Sequence, residues 1–280
     1  MTRRALVAFV VIAGCGDNAA PAPASVMFVA DRTANRILQF DGVTGEFGGE
    51  VATVDRPSSV RFGPDHQLYV AAFGGSEILR IEAGAPTGFF RDTEILEEPV
   101  ELIFRGPELV VLGHDTHNAV VIDPDGAMTH DVGYPDMRGA HDFVFGDDGL
   151  LYVATEHDVS LGTAIQIWDV QAGTMVGQLG TLDQLANATG IANVDGQLYV
   201  TDYERGRILR FDGDAPVVIA DDLVHPISIE LGPDGLFYVI DARGIHRYAQ
   251  DGTYVSLFVP IGDHLVGPRS ATFVLRADLP

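Results

Sequence analysis

The chain repeats one short unit along most of its length, and this repetition limits its possible folds more than any other feature. Four segments share a turn built on Asp-Gly or a near equivalent, followed by β-forming residues that end in Tyr-Val: 62–70 (FGPDHQLYV), 145–153 (FGDDGLLYV), 193–200 (NVDGQLYV) and 231–239 (LGPDGLFYV). Segment 104–111 (FRGPELVV) is a diverged fifth copy. Asp-Gly tolerates the positive φ of a tight hairpin, so each copy predicts two strands joined by a turn. A second hairpin pattern follows, clearest in 36–42 (RILQFDG) and 207–213 (RILRFDG).

The spacing of the copies predicts the architecture. First strands start at six positions, 38 to 48 residues apart: Pro57, Pro99, Ala140, Ala188, Pro226 and Pro268. Four short strands in a unit of this size are typical of a β-propeller blade. Residues 268–280 suffice for one strand, whereas the N-terminal copy, which starts at Val26, lacks its first strand. We therefore predict an all-β fold over residues 26–280, a six-bladed β-propeller of four-stranded blades, closed by the C-terminal strand completing the first blade.

The N-terminus has the features of an export signal. Arg3 and Arg4 precede an apolar run at 5–13, which is too short to cross a bilayer because a spanning helix needs about 20 residues. The sequence IAGC at 12–15, with an aliphatic residue and two small residues before cysteine, resembles a bacterial lipobox.

This resemblance predicts that residues 1–14 are a lipoprotein signal peptide and that Cys15, the only cysteine, becomes a lipidated N-terminus. Residues 15–25 then form an Ala/Pro-rich tether. Gly16 stands where an inner-membrane retention signal has Asp, so an outer-membrane anchor is favoured, with the protein facing the periplasm or the cell surface. The alternatives are an ordinary signal peptide with a stray cysteine, or a buried thiol.

Charge excludes several classes of function. The chain has 17 Lys+Arg against 40 Asp+Glu, a net charge of −23, and every basic residue is arginine. A surface this acidic does not bind nucleic acid through its phosphates. Without lysine, neither Schiff-base nor P-loop lysine chemistry is available. We expect a monomer that contacts the membrane through its lipid and binds a protein partner or a small acidic ligand.

The repeated pattern resembles NHL-repeat propellers and the related SMP-30/gluconolactonase-like region over nearly the whole predicted propeller. The resemblance implies a site at the mouth of the central channel. Gluconolactonase-like proteins carry Glu, Asn and Asp at the starts of three blades to bind a metal and supply a base. Here Thr189 stands at the Asn position, Ile227 stands at the Asp position, and Glu98 is the only match to the first. The two mismatches argue against lactonase activity. They argue less strongly against a streptogramin-lyase-like enzyme, which His141 and Glu156 support.

Most candidate site residues fall in loops expected at the channel mouth. Glu101 and Asp142 occupy the same repeat position in neighbouring blades and so could flank one site. The candidate ligand-binding residues are Glu101, Asp142, Arg138, Arg269, Asp31, Asp202 and Asp241. Imidazole and carboxylate are the ordinary ligands of zinc-like ions, and the candidate metal ligands are His114, His141, His225, Glu101 and Asp142. No H-E-x-x-H motif occurs, so solvated loop polarity is the alternative.

The sequence therefore predicts a membrane-anchored extracytoplasmic propeller that acts as a ligand- or protein-binding scaffold, and it identifies no cofactor other than a possible divalent metal ion. Four arginines expected near the mouth suit an acidic ligand, because guanidinium pairs with carboxylate in a fork: Arg32, Arg138, Arg243 and Arg269. The alternative is a metal-dependent hydrolase or lyase with a divalent metal ion at the channel mouth. No nucleophile motif such as Gly-x-Ser-x-Gly supports an enzyme.

Overall fold

The protein is a ring of six β-sheets. The computed structural model describes residues 24–156, 163–181 and 183–279, which form 24 strands in six antiparallel four-stranded sheets. No described residue is helical, so this part of the chain has no helix long and apolar enough to span a bilayer. The predicted signal peptide, Cys15 and most of the predicted tether lie outside the described residues.

Five of the six blades are built from consecutive strands, with the first strand innermost. Blade 2 contains β4 (Pro57–Phe62), β5 (Leu68–Ala72), β6 (Glu77–Glu82) and β7 (Ala85–Phe90). Blade 3 contains β8 (Pro99–Arg105), β9 (Glu108–Gly113), β10 (Asn118–Ile122) and β11 (Met128–Val132). Blade 4 contains β12 (Ala140–Phe145), β13 (Leu151–Thr155), β14 (Thr163–Asp169) and β15 (Thr174–Thr181). Blade 5 contains β16 (Ala188–Val194), β17 (Gln197–Asp202), β18 (Arg207–Asp212) and β19 (Ala215–Ala220). Blade 6 contains β20 (Ser228–Leu231), β21 (Phe237–Asp241), β22 (Gly244–Tyr248) and β23 (Tyr254–Pro260).

Blade 1 joins the two ends of the chain. It contains β1 (Ser25–Asp31), β2 (Arg36–Asp41), β3 (Phe47–Thr53) and, innermost, the C-terminal strand β24 (Pro268–Leu275). Strand β24 pairs antiparallel with β1, with Ser25 opposite Leu275 and Val29 opposite Ala271. The prediction of six four-stranded blades closed by the C-terminal strand is confirmed.

The hydrophobic core lies between the blades. Every residue of β1 is buried, because neighbouring blades cover both faces of its sheet. Side chains alternate between the faces of a strand, so Val26 and Phe28 pack toward blade 2 while Met27 and Val29 pack toward blade 6. Six such clusters fill the six spaces between adjacent blades. The blades therefore depend on one another for burial.

The aspartates of the repeat stabilise its hairpin turns. In the turns at Asp65, Asp148 and Asp234, one carboxylate oxygen accepts the backbone N–H two residues further on. The other oxygen accepts the hydroxyl of the tyrosine four residues further on, at 2.9–3.0 Å: Tyr69, Tyr152 and Tyr238. Part of the acidity of the chain therefore has a structural role in the turns.

Candidate functional site

A β-bulge at the start of the innermost strands determines which side chains reach the central channel. The second residue of five strands is skipped in the pairing with the neighbouring strand: Ser58, Val100, His141, Thr189 and Arg269. In blade 6 the N–H of Ile227 donates to the carbonyl of Ile240, which also lies opposite Ser228. Adjacent residues of a regular strand face opposite sides, but a bulge re-aims one of them.

All six of these side chains line one central cavity at the channel mouth. Its empty space is about 370 Å³, part of it open to solvent. The lining is completed by Arg32, Glu101, Asp142 and Ser228. The structure therefore brings five sequence-predicted residues to one cavity, namely Glu101, Asp142, His141, Arg32 and Arg269.

One side of the cavity carries positive charge. The guanidinium of Arg32 lies over the ring of Phe73, with Cζ 3.7 Å from the ring centroid, and Arg56 approaches the same ring at 5.1 Å. Desolvation and the charges of Arg269 and Arg56 lower the pKa of Arg32 to about 10. Desolvation also lowers the pKa of Arg269. Among the described residues, no side chain forms a hydrogen bond or ion pair with the guanidinium of Arg32 or Arg269.

The channel also holds a network of charged side chains around Arg61 of β4. Its guanidinium lies 3.1 Å from Glu101 Oε1 and 3.4 Å from Glu230 Oε2. It also donates to Ser270 Oγ at 3.0 Å and to the Ala271 carbonyl at 3.1 Å. These partners lie on β8, β20 and β24, so one side chain connects four of the six innermost strands.

Carboxyl groups outnumber cations in this network. Glu101 Oε1 also accepts hydrogen bonds from Ser59 Oγ at 2.5 Å and from the Leu102 N–H at 3.0 Å. Asp142 accepts backbone N–H groups of Phe143 and Ile191 at 2.8 and 3.0 Å but has no ion-paired arginine or histidine in the described part of the chain.

The protonation equilibria follow from this surplus of acid. Desolvation raises the pKa of Glu101 and of Glu230, and desolvation together with the charge of Glu101 raises that of Asp142 well above its usual range. Desolvation favours a lower pKa for Arg61, but the three carboxylates outweigh it and raise the pKa of this guanidinium.

We expect the free energy of unfolding to fall as the pH rises above about 4, the ordinary pKa range of carboxyl groups. Because the pKa values of Glu101, Asp142 and Glu230 are higher in the folded protein than in the unfolded chain, the folded protein binds more protons between the two values, and stability is lost as the pH rises through the folded pKa. Each unit of pKa difference corresponds to about 1.4 kcal/mol. Urea unfolding at several pH values measures the slope, which Asp142→Asn should make shallower.

The matched control is Asp251→Asn, which removes one charge from an exposed turn where backbone hydrogen bonding lowers the pKa of the carboxyl. In acid the sign reverses. Desolvation opposes ionisation of Asp241, but hydrogen bonds from His246 and Arg243 lower its pKa, so its contribution to stability is lost as the pH falls below about 4. An Asp142→Asn slope equal to that of the control would contradict the assignment.

Of the three predicted histidines, His141 lines the cavity and His114 and His225 do not. His114 and His141 have ring centroids 6.0 Å apart, and His141 Nε2 lies 3.3 Å from Glu156 Oε2. His225 instead stacks on Tyr203, with centroids 4.6 Å apart. The five predicted metal ligands do not form one set.

The only group of three or more His, Cys, Asp or Glu residues within the described ranges whose ligand atoms all lie within 4.8 Å of one another is Glu98, His114 and Asp115. His114 Nδ1 lies 2.7 Å from Asp115 Oδ1 and 3.9 Å from Glu98 Oε2. Desolvation and the charge of Asp115 raise the pKa of Glu98.

Three predicted ligand-binding aspartates have structural partners. Asp31, Asp202 and Asp241 are at most 1% exposed and do not line the cavity. Each accepts backbone N–H groups from the loop that leads into the first strand of its own blade: Val266 and Gly267 for Asp31, Ala186 and Asn187 for Asp202, and Val224 for Asp241. They hold these loops in place. Arg138 is exposed and lies outside the lining.

Sequence reasoning missed Arg61 and Glu230. Both stand four residues after the start of a first strand, at Pro57 and Pro226. The repeats place an arginine and a glutamate at this one position, where Ile103 of blade 3 packs against the core that blades 3 and 4 share. A charged residue at a position that is apolar in another blade was the sequence signal that could have identified Arg61 and Glu230.

Comparisons with known proteins bear on the fold. No protein-family model matches the chain, and no curated protein matches it. Among solved structures, a chain in a crystal structure of a nidogen/laminin complex aligns with a TM-score of 0.73 at 15% identity, covering 90% of this chain and 98% of that one.

Two lyase structures are also similar. A virginiamycin B lyase from Staphylococcus aureus aligns with a TM-score of 0.65 at 14% identity, covering 93% of this chain and 94% of that one. A streptogramin B lyase aligns with a TM-score of 0.60 at 14% identity, covering 85% and 74%. At such identities the likeness extends to the fold alone, and by that fold the chain is a six-bladed β-propeller.

Proposed function

We propose that the protein is an extracytoplasmic, lipid-anchored propeller that binds a small carboxylate-bearing ligand in the central cavity. The observation that carries the binding proposal is the pair Arg32 and Arg269, which line the cavity and form no hydrogen bond or ion pair with a described side chain, although the charge of Glu98 acts on Arg32 from beyond ion-pair distance. Guanidinium groups that are partly removed from water and left unpaired are costly unless a ligand supplies the counter-charge. A carboxylate fits their planar donor geometry.

We expect Arg269→Met to weaken the binding of propionate at least about tenfold. A hydrogen bond to a charged group contributes about 1.5–3 kcal/mol, and 1.4 kcal/mol corresponds to a tenfold change in affinity. Calorimetric or NMR titration measures the dissociation constant. Arg276→Met is the matched control, because Arg276 pairs with Asp41 at 2.9 Å on the surface. Equal affinities in the two variants would reject the arginine site.

The membrane anchor rests on the lipobox-like sequence that ends at Cys15. Cys15→Ser is expected to move the exported protein from the membrane fraction to the soluble fraction, because the acyl chains supply about 0.8 kcal/mol of membrane affinity per buried CH₂. Fractionation of cells that express the full chain measures the distribution. Membrane association of Cys15→Ser that matches the unaltered protein would contradict a lipid anchor.

A metal-dependent hydrolase or lyase is the second candidate, favoured by the set Glu98, His114 and Asp115. One imidazole nitrogen and two carboxylates are donors that zinc-like ions accept. Equilibrium dialysis against Zn²⁺ tests it: stoichiometric binding that His114→Ala abolishes supports this centre, and binding that His114→Ala leaves unchanged argues against it.

A further inference from the structure

The central cavity is lined by charges of both signs. Arg32 and Arg269 supply positive charge, and Glu101 and Asp142 supply carboxyl groups to the same space. The two sets do not neutralise each other, because no ion pair joins either arginine to either acid in the described structure. A ligand that pairs with both sets must therefore carry a negative charge for the arginines and a positive charge for the acids.

The acidic side chains at the cavity and in the adjoining network outnumber the cations that pair with them. Glu101 and Glu230 share the single guanidinium of Arg61, which is the only cation within ion-pair distance of these acids among the described residues. Asp142 is 7% exposed, and its recorded partners are backbone N–H groups. Three carboxyl groups around one guanidinium leave room for a further cation.

Resting on the proposed function, we infer that the ligand is a small zwitterion, an amino-acid-like molecule whose carboxylate pairs with Arg32 and Arg269 while its ammonium group faces Glu101 and Asp142. The cavity is partly open to solvent at the channel mouth, so a small molecule can reach both sets of charged groups from outside. Val100 and Ile227 contribute apolar surface for the carbon chain between the two charged ends.

The same charges disfavour the competing ligand classes. The second carboxylate of a dicarboxylate would face Glu101 and Asp142, and like charges repel in a site of low dielectric. A simple amine would complement the acids but leave both arginines without a counter-charge. The order of affinity follows as zwitterion first, then monocarboxylate, then amine or dicarboxylate.

A matched series of probes tests the inference. The ω-amino acids from glycine to 6-aminohexanoate are titrated by calorimetry or NMR, each beside the unbranched carboxylate and the alkylamine of equal chain length. We expect at least one ω-amino acid to bind about tenfold more tightly than its carboxylate and its amine. Asp142→Asn should bring the ratio between ω-amino acid and carboxylate close to one, and Glu101→Gln should lower it.

The outcomes separate this inference from the proposed function. Carboxylates that bind through Arg269 with no gain from the ammonium group at any length would overturn the zwitterion and leave the arginine site standing. Carboxylates that bind equally to the Arg269→Met variant would overturn both. Thermal unfolding of Asp142→Asn and Glu101→Gln shows which variant is folded, and a ratio unchanged in a folded variant also overturns the inference.

Discussion

Replacement of Arg61 by methionine is expected to lower the free energy of unfolding by about 3 kcal/mol or more. Removal of one partner from a buried ion pair typically costs about 3–5 kcal/mol, because the remaining charge stays desolvated without compensation. Here the guanidinium serves Glu101 and Glu230 and also donates to Ser270 and Ala271, and its side chain is only 16% exposed. Methionine fills similar space with no positive charge. Urea or guanidinium chloride unfolding at pH 7 measures the loss.

Removal of the carboxylates of Glu101 and Glu230, which lose their partner in Arg61→Met, should restore much of this stability. The variant that combines Arg61→Met with Glu101→Gln and Glu230→Gln has no charge at these three positions, and replacement of all partners of a buried ion pair costs less than removal of one partner alone. A loss below about 1 kcal/mol in Arg61→Met, or no recovery in the triple variant, would show that the network does not stabilise the ring as described.

The fold was predictable from the repeats because every blade has the same turn residues and the same pattern of buried side chains. Asp-Gly turns and alternating apolar residues specify hairpins locally, and the incomplete first and last units specify closure. The pairing of β1 with β24 follows from that arithmetic, since neither end can complete a four-stranded blade alone.

The site was less predictable because its geometry depends on the bulges. On a regular strand, neighbours such as His141 and Asp142 face opposite sides, yet both line the cavity because His141 is skipped in the pairing of β12 with β13. A sequence pattern gives alternation but does not place such a one-residue shift. The partners of Arg61 come from three other blades, so no local motif contains them.

The three aspartates also show that residue type alone does not distinguish a ligand-binding acid from a structural one. Asp31, Asp202 and Asp241 are the last residues of β1, β17 and β21, and their residue type alone suits ligand binding. In the structure their oxygens accept backbone N–H groups of the adjoining loops. Whether an acid near a site binds a ligand or holds a loop depends on unpaired backbone groups nearby, and these appear only once the loops are folded.

Removal of residues 268–280 is expected to abolish cooperative folding. Strand β24 is the innermost strand of blade 1, and Ala271 and Val274 are buried in the cores that blade 1 shares with blades 6 and 2. Without it, β1 becomes an unpaired edge whose residues were all buried. Each core between blades needs both of its neighbours, so opening the ring at one place weakens two clusters at once. Circular dichroism during thermal unfolding measures the loss of the transition.

Removal of residues 276–280 alone is the matched control. It deletes an exposed ion pair between Arg276 and Asp41, a hydrogen-bond contact between His66 and the Asp278 carbonyl, and the partly buried Leu279 that packs against the core of blades 1 and 2, but leaves β24 intact. Exposed ion pairs contribute about 0–1 kcal/mol and only one partly buried apolar side chain is lost, so this variant should keep a cooperative transition. Addition of a peptide of residues 266–280 to the longer truncation should restore a cooperative transition, because the missing strand needs only to pair with β1. The longer truncation without the peptide could instead unfold cooperatively at nearly the same temperature as the control. Five complete blades and an incomplete sixth would then be stable alone, and β24 would not contribute to stability by closing the ring.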